Sequence, residues 1–197
     1  MSTTSGPSPV VHLPSADLER PQIEAIGRLI ALAFPTPGYT LEDRITGYAD
    51  ACKRPGAETF AVFAPDGRAL AHAWTFPREI ATATGRLRVL ALAAVCTDPE
   101  VRGAGWGRAV VLAAFARIEA SGCALSLFQT GVPDFYAKLG SHLVHNRFFN
   151  SLYAPPPPGA RPTNGTRDEP WWNPSVMIHP AGASWPDGPV DLLGPGW

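Results

Sequence analysis

Val95-Cys96-Thr97-Asp98-Pro99-Glu100-Val101-Arg102-Gly103-Ala104-Gly105-Trp106-Gly107-Arg108 is the stretch that decides the fold. The residues before it, Leu87 to Cys96, are rich in Val, Leu and Ala and apolar on both faces, as in a strand buried inside a sheet. After it, Gly105 to Ala120 reads as a helix, with Val110, Ala113, Ala114, Arg117 and Ile118 marking two faces and Gly122 ending it. Strand, glycine-rich loop and helix make a recognisable unit. A helix start offers backbone N–H groups without intrahelical acceptors and the positive end of the macrodipole. Glycine lets the backbone come close to a ligand and adopt positive φ. The product is an anion site suited to a pyrophosphate, with Arg102 and Arg108 adding charge. The loop is neither GxxxxGK[ST] nor GxGxxG with an acidic residue at the expected distance. The competing reading is a glycine-rich turn that merely starts a helix.

Upstream, Gln22 to Phe34 carries Ile23, Ile26, Leu29, Ile30 and Ala33 at helical spacing, stopped by Pro35 and Pro37. Thr40, with Asp43 three residues on, caps a second helix running towards Lys53. Thr59 to Ala64 and Ala69 to Phe76 read as paired strands around the turn Pro65-Asp66-Gly67. Downstream come a short strand at 124–128, a helix from Pro133 to Leu139 ended by Gly140, and an irregular strand from His142 to Tyr153. Residues 1–10 read as a flexible leader, Pro155 to Pro158 as a polyproline spacer, and Ser175 to His179 as a last short strand. This order predicts a mixed α/β (α+β) domain: a central, mostly antiparallel sheet with helices on both faces.

The segment resembles motif A of the GNAT (Gcn5-related N-acetyltransferase) superfamily, R/Q-x-x-G-x-G/A, through Arg102, Gly105 and Gly107. Asp134-Phe135-Tyr136-Ala137-Lys138-Leu139-Gly140 resembles the family's FYxKxG signature, after the next strand as expected. The resemblance covers about residues 20–150 and implies the splayed GNAT sheet. It also implies an acetyl-CoA site made by Ala94, Val95 and Cys96 on the strand and by Arg102, Gly103, Ala104, Gly105, Trp106, Gly107 and Arg108 on the loop and helix start. It implies that the strand pairs through its backbone with the pantetheine arm, that the Val95 N–H polarises the thioester carbonyl, and that Tyr136 protonates the departing thiolate. The other reading of Tyr136 is a core tyrosine packed under the sheet.

The chain departs from the family on the strand Arg88 to Val95, which has no Asp or Glu to take the amine's proton. His72, His142, His145 and His179 are the side-chain alternatives, each also readable as a structural or surface histidine. Cys96 and Cys123 permit an acyl-enzyme reading, but buried, inert cysteines are the better one. Asp98 and Glu100 read as solvated loop residues, with Asp98-Pro99 starting a turn.

Of the 22 prolines, 11 lie in residues 154–197, with Trp171, Trp172, Trp185 and Trp197. That shift predicts a GNAT domain at 1–153 and a Pro/Trp-rich extension at 154–197 packed on it. The extension either lines the acceptor site or covers a sheet edge. With it, the chain is similar to the aminoglycoside 2'-N-acetyltransferases and the nodulation acyltransferases. In the former the terminal carboxylate is a proposed participant, which puts the α-carboxylate of Trp197 in the vacant base role.

Hydrophobic residues make up 45% and the net charge is −1, so a packed core is expected and a basic nucleic-acid footprint is not. The three cysteines are far apart, without CxxC or a Cys/His cluster, so neither a metal site nor a disulfide framework is expected. The start lacks a signal-peptide pattern, and the apolar run Val89 to Cys96 is too short to span a bilayer. The expectation is a cytoplasmic N-acetyltransferase moving a short acyl group from CoA to a primary amine of a small molecule. Its partners would be that amine and a second copy in a homodimer, with no nucleic acid or membrane. The alternatives are a non-catalytic acyl-CoA binder and a protein lysine or N-terminal acetyltransferase.

Overall fold

The computed structural model describes residues 10–157 and 165–197. The leader expected at 1–10 falls outside these residues except for Val10, as does Pro158 of the polyproline run. The hydrogen-bonded strand order is β1 (Val11–Pro14), β2 (Glu58–Phe63), β3 (Ala69–Thr82), β4 (Gly85–Thr97), β5 (Ser126–Thr130), β8 (Ser175–His179) and β6 (His142–Val144). The short strands β7 (Phe148–Phe149) and β9 (Val190–Asp191) lie off this path. With α1 (Arg20–Ala33), α2 (Leu41–Cys52), α3 (Trp106–Phe115) and α4 (Pro133–Ala137), this is the mixed α/β, mostly antiparallel architecture that the sequence predicts. The chain forms two compact units. The first comprises the residues up to Phe76 with Ala94–Arg117, and the second Pro77–Ala93 with Ile118–Trp197.

In the first unit, capping boxes start both helices: Glu19 with Gln22 for α1, Thr40 with Asp43 for α2. The helices bury Ile26, Leu29, Ile30, Tyr48 and Cys52. They cross closely because Gly27 has no side chain; a Cβ there would stand 2.7 Å from Ile45. β1, β2 and the first half of β3 form an antiparallel ladder, with His12 stacked on Phe60. The β2–β3 turn uses Gly67 at φ 86°.

In the second unit, β4 pairs in parallel with β5 at Leu90 and Ala91, and β5 pairs with β8 over its full length. The tail therefore supplies a strand between β5 and β6 (Ile178 is fully buried). Three local expectations are corrected. The helix from Gly105 ends at Phe115 rather than Ala120, where the Arg117 guanidinium forks onto the Glu58 carboxylate at 3.0 and 3.0 Å and a separate turn covers Glu119–Ser121. The strand expected at 124–128 runs two residues later. The strand expected from His142 to Tyr153 is two short ones. Between them the Asn146 carboxamide donates to the carbonyls of Pro186 and Gly188, drawing the chain off the sheet. β1 and β9 carry no periodic signal long enough to read.

Candidate active site

The expected donor site lies in the first unit. Near its end β4 is distorted: Ala94 has φ 49°, a left-handed conformation costly for a residue with a Cβ. Around it Ala93, Ala94 and Val95 are half-buried, whereas Cys96 is buried. The loop then turns on Asp98. Its N–H donates to the Leu70 carbonyl at 2.9 Å, one carboxylate oxygen accepts from the Glu100 N–H at 3.0 Å, and the other accepts from Arg68 at 3.0 Å. Asp98 is only 5% exposed. The expectation of a solvated residue is corrected for Asp98; the Asp-Pro turn signal was legible, but its anchoring role was not.

Gly103 and Gly105 both have φ 87°, and Gly105 is the residue at which α3 begins. The first continuing helical bond runs from the Ala109 N–H to the Gly105 carbonyl, so the amides of residues 105–108 belong to the helix start and point outward along its axis. Gly107 packs on the β4 terminus: a Cβ there would lie 2.8 Å from the Thr97 hydroxyl. Arg102 and Arg108 are exposed, and Trp106 is half-buried. An exposed row of amides, the positive helix end and two cations form a cradle that fits the pyrophosphate of CoA.

Cys96 does not suit nucleophilic chemistry here. Burial pushes its thiol up to about 12, and burial likewise raises Cys52 and Cys123. His72 is fully buried, with Nδ1 2.8 Å from the Ala94 carbonyl and Nε2 2.9 Å from the Tyr48 hydroxyl. Burial lowers its pKa to about 4. Both ring nitrogens are engaged, so His72 is not a base open to an incoming amine.

Tyr136 and Trp197 belong to the second unit. Tyr136 sits in α4, 5% exposed, its ring 4.6 Å from Phe128 and 4.9 Å from Phe135. Trp197 is anchored on β5. Its indole N–H donates to the Leu127 carbonyl at 2.9 Å and its main-chain oxygen accepts from Gln129 at 2.8 Å, while Arg78 lies over the ring. The Leu125 carbonyl accepts from the Leu90 N–H of β4. Leu127 is the next acceptor along that edge, so the Trp197 indole takes the place a further β4 amide would fill. Phe128 and Gln129, which meet Tyr136 and Trp197, project to opposite faces of β5. His142 and His145 line an open groove with Trp185 and Asp187, and His179 lies 3.3 Å from the Ser141 hydroxyl. Among the described residues, no cluster of three or more His, Cys, Asp or Glu is placed to hold a metal, and no helix is long and apolar enough to cross a membrane.

A family model described as the Acetyltransferase (GNAT) family matches residues 23–140, more than half of the chain. No curated protein matches the sequence. Among solved structures, the chain is similar to the GNAT family N-acetyltransferase YhbS from Escherichia coli, solved in complex with CoA. The identity is 14% and the TM-score 0.59, covering 97% of this chain and 93% of that one. It is also similar to an acetyltransferase from Trypanosoma brucei, at 24% identity and TM-score 0.55, covering 70% of this chain and 95% of that one. A probable N-acyltransferase from Enterococcus faecalis matches at 16% identity and TM-score 0.54; 69% of this chain is covered but only 33% of that protein. At these identities the likeness is one of fold.

Proposed function

Because this chain belongs to the acetyltransferase (GNAT) family, we propose that it transfers an acetyl or other short acyl group from CoA directly to a primary amine of a small molecule. The observation that carries this reading is the cradle at 94–108: left-handed Gly103 and Gly105, the open start of α3, and Gly107 fitted against Thr97. In this reading Ala94, Val95 and Cys96 present backbone groups to the pantetheine arm. The amides of Gly103 and of Gly105 to Arg108, with the Arg102 guanidinium, hold the pyrophosphate, whereas the expected Ala104 N–H already donates to the Val101 carbonyl at 3.3 Å. Bound acetyl-CoA supplies an activated acyl carbonyl. The Val95 N–H faces the oxygen that gains charge under attack, the Tyr136 phenol gives its proton to the departing thiolate, and the α-carboxylate of Trp197 takes the amine's proton. Support for Trp197 is its seat on the edge of β5 where the β4 pairing ends. An amidated or extended C-terminus is then expected to abolish turnover.

On the acceptor, the finer likeness to aminoglycoside 2'-N-acetyltransferases calls for carboxylates to meet a polycation. Four of the five carboxylates on the N-terminal helices already have partners, Asp50 among them through Lys53 at 2.8 Å. Glu19 and Asp43 close capping boxes, and Glu24 pairs with Arg20 at 2.8 Å. That favours a less charged, partly apolar amine. The test is release of free thiol from acetyl-CoA in the presence of tyramine, tryptamine, spermidine or kanamycin. Turnover of the arylalkylamines above the other two is the expected result. Turnover of kanamycin alone reverses the acceptor reading, and no thiol release with any amine removes the activity and leaves the non-catalytic acyl-CoA binder.

A further inference from the structure

Four buried polar side chains of the first unit form one continuous hydrogen-bonded chain. The Ser15 hydroxyl lies 2.9 Å from that of Thr59, which lies 2.9 Å from the Tyr48 phenol. The phenol lies 2.9 Å from His72 Nε2, and His72 Nδ1 lies 2.8 Å from the Ala94 carbonyl. None of the four is more than 5% exposed. So much buried polarity in one row is costly unless every group is satisfied.

The end of the row fixes its direction. A carbonyl oxygen only accepts, so Nδ1 carries the ring proton and Nε2 of the neutral imidazole must accept. Tyr48 therefore donates to His72, Thr59 donates to Tyr48, and Ser15 donates to Thr59. Burial holds the imidazole neutral, with its pKa near 4, and raises the Tyr48 phenol.

The consequence falls on β4. The carbonyl of Ala94 and the N–H of Val95 belong to one planar, trans peptide group, so they point in opposite directions. A hydrogen bond that turns the carbonyl inward turns the amide outward. Ala94 is the residue forced to φ 49°, so this peptide plane needs an external hold. We propose that His72 is a positioning residue for acyl transfer: at the end of its buried chain it pins the Ala94 carbonyl and thereby aims the Val95 N–H at the acyl oxygen. This rests on the acyltransferase reading above, and it assigns His72 to holding a dipole rather than moving a proton.

The test compares steady-state turnover of acetyl-CoA, with whichever of the four amines is used best, in the wild type and in His72→Leu, His72→Asn and Tyr48→Phe. The Asn carboxamide nitrogen stands near the position of Nδ1 and can still donate to Ala94. Loss of one oxyanion donor lowers kcat by about 100- to 1000-fold, so a misaimed donor is expected to cost about 10- to 100-fold. His72→Leu should show that fall in kcat, with KM for acetyl-CoA little changed and the shape of the pH profile kept. His72→Asn should recover most of the rate. Tyr48→Phe, which frees the tautomer, should fall between them and decides the matter if His72→Leu does not fold. Equal kcat in the wild type and in the folded variants overturns the inference and leaves the activity standing, as does an Asn variant no better than Leu. Disappearance of an acidic limb of the pH profile in the variants makes His72 a base and also overturns it. A wild type that consumes no acetyl-CoA with any of the four amines removes the activity and this role with it.

Discussion

Residues 94–108 and residues 190–197 each follow or flank a strand, and they hold their shape by opposite means. The first segment depends on what its side chains lack. Gly103 and Gly105 take φ 87°, Gly107 leaves room for Thr97, and the buried polar anchors His72 and Asp98 fasten the first part of the stretch, at residues 94 and 98. The second depends on what its side chains fill. The Trp197 indole donates to β5 and packs 4.8 Å from Trp171, while Arg78 donates to the carbonyls of Leu192 and Pro195. A backbone proposed to hold a ligand has to stay open, whereas a terminal segment seated by its side chains can be filled. Glycine and tryptophan are the two solutions.

That contrast can be broken at either end. The largest effect is expected from Trp197→Ala, which removes a nearly buried indole and its hydrogen bond. Stability should fall by about 3–5 kcal/mol in urea unfolding, and a loss under 1 kcal/mol would mean that the plug is ornamental. Next comes pH. The His72 pKa is lowered in the folded state from 6.5 to about 4. The unfolded chain therefore binds the proton first as pH falls. The stabilising contribution is complete above about pH 6.5 and is lost progressively down to about pH 4. Its size is about 3 kcal/mol. Unfolding free energies measured between pH 7 and pH 4 should slope less in His72→Asn, which cannot titrate. The smallest effect belongs to Asp98→Ala. It frees the Glu100 N–H and removes one of the three carboxylate partners of the half-exposed Arg68, at a cost of about 1–2 kcal/mol, with weaker acetyl-CoA binding by calorimetry because the loop entry loosens.

The two regions also differ in how far they could be read. Motif spacing at Arg102, Gly105 and Gly107 located the loop and the start of α3 because backbone conformation there demands particular residues. The long apolar stretches gave α1, β3 and β4 for a related reason, since periodicity survives in one dimension. The strand at Ser175–His179 was legible, but its seat between β5 and β6 was not, because strand order is set by packing across the chain. Asp98 was misjudged, and the partners of His72 were not readable, for the same reason. Their burial is created by Leu70, Ala94 and Tyr48, at 22 or more residues' distance. The break after Phe115 lies beside an ion pair from Arg117 to Glu58, 59 residues away. Local patterns show where a chain must bend, and distant partners decide what a polar residue does.

Donor binding in the glycine cradle underlies every catalytic role proposed above, and thermal unfolding with and without acetyl-CoA probes it. At about a hundredfold excess over Kd a ligand bound only by the folded state adds about 2.7 kcal/mol, which is a rise of about 5–10 °C for a chain of this size. That rise is expected in the wild type and not in the Gly105→Glu/Gly107→Glu double variant, where side chains and charge occupy the cradle. No rise in the wild type at saturating acetyl-CoA, or an equal rise in the variant, would contradict donor binding there.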